Sequence, residues 1–253
     1  MGALHEGHLS LIEKAKQHCD LVVASIFVNP SQFNDKKDLA NYPRMPEKDS
    51  EMLREAGCDC LYMPSDEEVY PIGYQPLQMD FGFLEETMEG KFRPGHFKGM
   101  AAVVHRLFSL VEPDEAFFGE KDYQQLAIVR AMAEVHHPSI TITGCPTKRE
   151  ADGLAMSSRN LLLTPQQRKM APVIYKALSE GNEWQKSHTI ASTVEMVKEK
   201  IEGNSDFKVQ YFEIVHPYTL QPVSETSRGK RMRACIAVLT AGPRLIDNME
   251  FKS

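Results

Sequence analysis

The chain of 253 residues carries 29 Lys+Arg against 35 Asp+Glu, a formal charge of −6, with 42% apolar and 25% charged residues. These proportions exclude a disordered, collagenous or coiled-coil chain. The net acidity argues against broad nucleic-acid binding, and no run of about 18 apolar residues predicts a membrane span. The length suffices for one large domain or two smaller ones. Five cysteines (Cys19, Cys58, Cys60, Cys145 and Cys235), odd in number and irregular in spacing, follow no secretory leader. They predict idle thiols and a cytoplasmic location.

In chain order, Leu9, Leu11, Ile12 and Ala15 predict an amphipathic helix over residues 8–18. The apolar run from Leu21 to Val28 predicts a strand buried on both faces, as in a parallel sheet. A polar loop is expected from Ser31 to Pro46, then a helix from Lys48 to Ala56 and a short strand from Cys60 to Pro64. Residues 65–92 are rich in turn signals. Phe97–Val111 reads as a helix, Ala116–Gly119 as a strand, Gln124–Val135 as a helix and Ile140–Gly144 as a strand. This alternation predicts a doubly wound α/β sheet. After Arg149 the texture changes. Thr164-Pro165 marks a helix start, helical patterns run to Ala177 and from Thr189 to Ile201, and strands are expected at 209–215 and 233–240. The division expected is 1–148 as a Rossmann-like domain and 149–253 as a smaller α/β domain.

His5 and His8 stand three apart at a helix start, with Gly2 and Gly7 close by in sequence. A helix N-terminus offers free N–H groups and a partial positive charge, which suits phosphate. A zinc site is the competing reading, although the spacing is not H-E-x-x-H. Asn29-Pro30-Ser31-Gln32 and Gly119-Glu120-Lys121-Asp122 each follow a predicted strand, where ligands bind in open α/β sheets. A Lys there can hold phosphate and an acid can hold ribose hydroxyls. Gln125 lies one helical turn past Lys121. Arg93 and His96 could add a cation and an imidazole. The stretch from Arg149 to Asn160 combines small residues, two hydroxyls and an Arg, suited to close on a polyphosphate. No Walker motif or G-x-G-x-x-G occurs.

M-G-A-L-H-E-G-H-L-S-L-I, S-I-F-V-N-P-S-Q-F, R-P-G-H-F-K-G, F-F-G-E-K-D-Y-Q-Q-L and R-E-A-D-G-L-A-M-S-S-R-N occur in that order, and Arg244-Leu-Ile-Asp-Asn248 near the end. Together they resemble the pantoate–β-alanine ligase family of the HIGH-motif nucleotidyltransferase-like superfamily. The resemblance implies ATP-dependent condensation of pantoate with β-alanine through a pantoyl adenylate, with Mg²⁺ accompanying ATP, in a cytoplasmic homodimer. It implies that Met1, Gly2, Ala3, Leu4, His5, Glu6, Gly7 and His8 line the ATP site, with His8 as proton donor to the phosphates. Gly119, Glu120, Lys121 and Asp122 would hold ATP, with Lys121 toward phosphate and Asp122 toward ribose. Lys148 would meet adenine through its backbone, and Met156, Ser157, Ser158 and Arg159 would form a mobile loop on the triphosphate. His5, His8, Lys121 and Arg159 would carry the catalysis. Gln32 and Gln125 would grip pantoate, and Gln32 and Asn29 would meet β-alanine.

The same resemblance implies a helix and a strand ahead of Met1. In the usual order 3-2-1-4-5 that strand lies in mid-sheet. The expectation is therefore a sheet with a central gap, from a start placed at an internal Met or a shortened chain. Two other readings follow from the residues: a nucleotidyltransferase acting on a phosphorylated acceptor, and a nucleotide-binding remnant without activity. Amides at Gln32 and Gln125, rather than cations, speak against a phosphorylated acceptor.

Overall fold

A computed structural model describes residues 2–32, 42–203, 206–225 and 230–252. Much of the polar loop expected between Ser31 and Pro46 lies outside them, as does Met1. Internal contacts divide the chain into Met1–Glu120 with Gln124–Pro146, and Lys121–Tyr123 with Thr147–Ser253.

The first unit opens with α1 (Glu6–Lys16), which buries Ile12 and Ala15 and sets Lys14 and Lys16 in its last turn, where cations offset the helix dipole. β1 (Val23–Ser25) pairs in parallel with β2 (Cys60–Tyr62), and α2 (Pro46–Glu55), begun by a proline at its first position, connects them. Three short helices follow: α3 (Asp66–Val69), α4 (Phe83–Glu86) and α5 (Met88–Phe92). Then come α6 (His96–Val111), β3 (Glu115–Gly119), α7 (Tyr123–His136) and β4 (Thr141–Cys145), with β3 and β4 parallel. One core gathers Phe97, Met100, Val104, Ile128, Val129 and Met132 from α6 and α7. A second gathers Leu4, Ile12, Ala15, Val22, Ala24 and Leu53, with Phe117 of β3 packed on it. Each buried Leu, Ile or Phe of this kind contributes about 1.5–3 kcal/mol relative to exposure.

The parallel α/β architecture agrees with the expectation, and its strands fall into two pairs. Among the described residues β1 pairs only with β2, and β3 only with β4. This pairing matches a sheet interrupted between β1 and β3. One element is shorter than expected: of the apolar run from Leu21 to Val28 only Val23–Ser25 forms a strand, flanked by bonds from the Cys60 N–H to the Val22 carbonyl and from the Ile26 N–H to the Tyr62 carbonyl, and Leu21 is 66% exposed. The stretch 65–92, expected as turns, holds three helices too short for periodicity to reveal. One of them, α3, has a Ser65–Glu68 capping box.

In the second unit, a 3-10 turn Ser158–Leu162 precedes α8 (Pro165–Met170), α9 (Val173–Trp184) and α10 (Ile190–Glu202). Thr164 caps α8 with Gln167 as its reciprocal partner, as the Thr-Pro start predicts. The single helix expected to run to Ala177 is instead two, interrupted at Pro172, and the second continues to Trp184. β5 (Lys208–Val215), β6 (Met232–Leu239) and β7 (Arg244–Phe251) form an antiparallel sheet in the order 5-6-7. β7 is not among the predicted strands. Ala234, Ile236 and Val238 of β6 join Leu245 and Phe251 of β7 in a core with Ile174, Leu178, Val197 and Ile201 from α9 and α10.

Candidate active site

The residues ahead of α1 are held from outside the helix. The N–H groups of Ala3 and Leu4 donate to the two carboxylate oxygens of Asp49, each at 2.8 Å, and Asp49 is buried on α2. That clamp supports Ala3 in a left-handed conformation at φ 50°, rare for a residue with a side chain. His5 is the N-cap of α1. Its Nδ1 accepts the Gly7 N–H at 3.1 Å, and Nδ1 of His8 accepts the His5 N–H at 3.4 Å. The two histidines thus form a reciprocal cap, with ring centroids 4.1 Å apart. Because each Nδ1 accepts a backbone proton, each neutral ring carries its own proton on Nε2. Two N–H donors therefore belong to a helix N-terminus that favours anions. Gly2, Ala3 and Leu4 are buried, His5, Gly7 and His8 are half-buried, and Glu6 is exposed.

After β1, Asn29 is almost fully buried and its polar atoms are committed. Its Oδ1 accepts from the N–H and hydroxyl of Ser31 and from the Tyr70 hydroxyl, at 3.3, 3.0 and 3.0 Å, and its Nδ2 donates to the Gly99 carbonyl at 3.2 Å. Burial pushes the Tyr70 phenol up from its ordinary value. Gln32 ends the 3-10 turn Pro30–Gln32, which packs on α6. A β-carbon on Gly99 would lie 2.5 Å from the Ser31 carbonyl, so this close approach requires glycine. Before α6, Arg93 Nη1 stands 3.0 Å from Nε2 of buried His96.

Gly119 ends β3, and Glu120, Lys121 and Asp122 form a 3-10 turn leading into α7. Gln125 is half-buried on α7. Its neighbour Gln124 is buried, accepting from the Glu89 N–H at 2.9 Å and donating to the carbonyls of Leu84 and Thr87 at 2.7 and 2.8 Å. It thereby anchors α4 and α5 on α7. Lys121 keeps 18% of its side chain exposed, with Nζ 3.5 Å from Asp122 Oδ1.

In the second unit the loop expected over the triphosphate has fixed local structure. Gly153 N–H donates to the Glu150 carbonyl, Glu150 N–H to that of Leu154, and Met156 N–H to that of Lys148, at 2.9, 2.8 and 3.0 Å. This makes a tight turn with Gly153 at φ +93°. Ser157 then caps the 3-10 turn that contains Ser158 and Arg159, accepting from the Arg159 N–H. The base of the turn rests on Arg149, whose guanidinium forks onto buried Asp247 at 2.7 and 2.9 Å and stacks on Tyr175 at 4.0 Å. Burial pushes the Asp247 carboxyl up, while Arg149 and the Asn248 N–H pull against that shift. Arg168 holds the Asp152 carboxyl below its ordinary value.

The structure thus groups Gly2–His8, Asn29, Gln32, Gly119, Glu120 and Gln125 in the first unit. Lys121, Asp122, Lys148 and Met156–Arg159 fall in the second. Sequence reasoning gave no role to Asp49, Tyr70, Gln124 or Asp247, although Gln124 and Asp247 lie in stretches that carry the resemblance. Asp49 left a signal of another kind: it stands four residues before Leu53, on the buried stripe of α2, where an apolar residue is expected.

A parallel α/β unit with an anion-ready first helix, and with polar turns at the carboxyl ends of β1 and β3, defines a doubly wound α/β enzyme. The profile of the family described as pantoate-beta-alanine ligase matches residues 1–250. Pantothenate synthetase of Porphyromonas gingivalis is 47% identical over 252 residues, which cover all of this chain and 89% of that protein. The crystal structure of pantothenate synthetase from Thermus thermophilus superposes with a TM-score of 0.94 at 45% identity, covering all of this chain and 91% of that one. The Francisella tularensis pantoate-beta-alanine ligase, solved in complex with β-γ ATP and β-alanine, gives 0.82 at 36% identity, covering 98% of this chain and 86% of that one. The chain belongs to the pantoate–β-alanine ligase family, whose members are AMP-forming ligases.

Proposed function

We propose that the chain makes pantothenate in two steps. A carboxylate oxygen of pantoate attacks the α-phosphorus of ATP. The bond to the bridging oxygen breaks, and pyrophosphate leaves. The amine of β-alanine then attacks the acyl carbon of the adenylate, the acyl–oxygen bond breaks, AMP leaves, and the amine loses a proton. The first step brings an anion to a polyanion, so cations and N–H donors must offset the repulsion.

The reciprocal His5–His8 cap carries this reading: it directs both ring protons to Nε2 at the start of α1. In the proposal His8 donates to the phosphates with His5 beside it, and Met1–His8 line the ATP site. Gly119 and Glu120 border the nucleotide, Lys121 meets phosphate and Asp122 meets ribose. Lys148 meets adenine through its backbone amide, since its carbonyl accepts from Met156. Met156, Ser157, Ser158 and Arg159 secure the triphosphate. Gln32 and Gln125 hold pantoate, and Gln32 with the Asn29 turn borders β-alanine. Residues 1–148 form the ATP- and pantoate-binding domain, and 149–253 the domain that carries the phosphate loop. Mg²⁺ enters with ATP as part of the substrate, and the enzyme works as a cytoplasmic homodimer.

A coupled assay for AMP tests the scheme. Steady AMP release is expected only with pantoate and β-alanine both present, and a single turnover with pantoate alone should release pyrophosphate without AMP. Steady AMP formation without β-alanine would refute the ligase scheme. Turnover with a phosphorylated acceptor but not pantoate would assign nucleotidyl transfer instead.

A further inference from the structure

Asp247 and Asn248 sit in the middle of β7, opposite Ile236 and Cys235 of β6, and both are almost wholly buried. Buried polar side chains in a sheet are costly unless their hydrogen bonds are made. Here those bonds run to two particular segments. Successive strand residues point to opposite faces, and this pair uses both. Asp247 lies on the face of Leu245 and Phe251 and takes the fork of Arg149, which also donates to the Gly153 carbonyl at 3.1 Å. On the other face Asn248 Nδ2 donates to the Lys121 carbonyl at 2.9 Å, and Asn248 Oδ1 accepts from Arg233 Nη1 at 3.0 Å. Arg233 lies over the Tyr123 ring at 4.1 Å, and the Tyr123 hydroxyl donates to the Pro217 carbonyl at 2.9 Å. Residues 121–123 are therefore held to the sheet at the main chain by Asn248 and, two residues on, at a side chain by Arg233.

We propose that Asn248 is a positioning residue for ATP, acting through the main chain of Lys121. The proposal rests on the reading of Lys121 as a phosphate-binding cation. An ammonium on a four-carbon stem is a flexible point charge, so its placement depends on where its backbone is fixed. A displacement of about 1 Å at a reacting site can cost about 100-fold in rate. The Lys121 carbonyl has a rigid, buried partner in Asn248, carried on the middle of a strand.

The test compares Asn248→Asp, Asn248→Ser and Lys121→Met in the full chain, by steady-state kinetics and thermal melting. Asn248→Asp keeps the oxygen that Arg233 uses and sets an acceptor against the Lys121 carbonyl. It should raise KM for ATP and lower kcat, each about tenfold, and leave KM for β-alanine within about twofold, with a cooperative melt retained. Asn248→Ser, which keeps a donor, should recover part of that loss. In the Lys121→Met background, Asn248→Asp should add less than about twofold, because one residue acts through the other. Unchanged ATP kinetics in Asn248→Asp, or an undiminished effect in the Lys121→Met background, overturns the proposal. Loss of the cooperative melt in both Asn248 variants overturns it too, since Asn248 would then serve the fold alone. Wild-type ATP kinetics in Lys121→Met would remove the underlying reading of Lys121, a failure distinct from the others.

Discussion

Gly153 is the position where a single added methyl group should do the most local damage. Two penalties meet there. Its φ of +93° is one that residues with a β-carbon rarely adopt, and a β-carbon built on it would stand 2.4 Å from Cδ1 of Tyr175. The backbone penalty of Gly153→Ala is about 1–2 kcal/mol. Overpacking against a ring adds about 1–3 kcal/mol. The ring cannot retreat without cost, because Arg149 stacks on it at 4.0 Å while forking onto Asp247. The sum, roughly 2–5 kcal/mol, should lower the melting temperature by roughly 5–15 °C in a chain of this size. Thermal melting followed by circular dichroism, with and without ATP and Mg²⁺, is the assay. A Tyr175→Ala background separates the two penalties: there the Gly153→Ala cost should shrink to the backbone share of about 1–2 kcal/mol. A Gly153→Ala chain that melts within a degree of wild type would refute the reasoning, as would an equal cost in both backgrounds.

Asp49→Ala should strand the buried N–H groups of Ala3 and Leu4, each now bonded to a charged oxygen at 2.8 Å, and cost about 3–5 kcal/mol. ATP affinity should fall with stability. Denaturant melts and ATP titration check this, and full stability with full affinity would count against the clamp. His8→Ala should lower kcat by about 100-fold or more while removing a cap bond worth only about 1 kcal/mol. An unchanged kcat would take His8 out of the chemistry. His105 and His137 share a contact of 2.8 Å, and burial, joined by the neighbouring histidines, lowers both from the ordinary 6.5. Across the interval between the lowered values and 6.5 the unfolded chain binds more protons, so stability should rise with pH there and be lost on acidification below 6.5. Melting temperatures of wild type and His137→Gln between pH 8 and 5 check this, and parallel profiles would refute it.

The legible part of the fold is the part written as periodic apolar residues. α1, α2, α6, α7, α10 and β3 to β6 were predicted within a few residues, and Thr164-Pro165 marked the start of α8 correctly. Where one residue had to declare its partner, the sequence was silent. Asp49 stands where the stripe of α2 should be apolar, but only the bonds to Ala3 and Leu4 show that it fixes the start of α1. Gln124 and Gln125 read alike as neighbours on α7. Burial separates them, sending Gln124 to the backbone of α4 and α5 and leaving Gln125 half-buried.

β7 shows why such residues are hard to see. Its sequence, Arg244 to Phe251, has Leu245, Met249 and Phe251 on the core side, but Asp247 takes the core position between them and Asn248 follows. Ile246 on the outer face and Asp247 on the core face invert the alternation in mid-strand, so the strand vanishes from a pattern reading. Asp247 and Asn248 bind Arg149 on one face and Lys121 on the other. A strand that must hold polar segments on both faces has to carry polar groups in its middle, and it loses the alternation that would announce it. The silence of the pattern and the hold on the two segments thus have one cause. A buried polar dipeptide of this kind in mid-strand is where positioning residues should be sought before any ligand is in place.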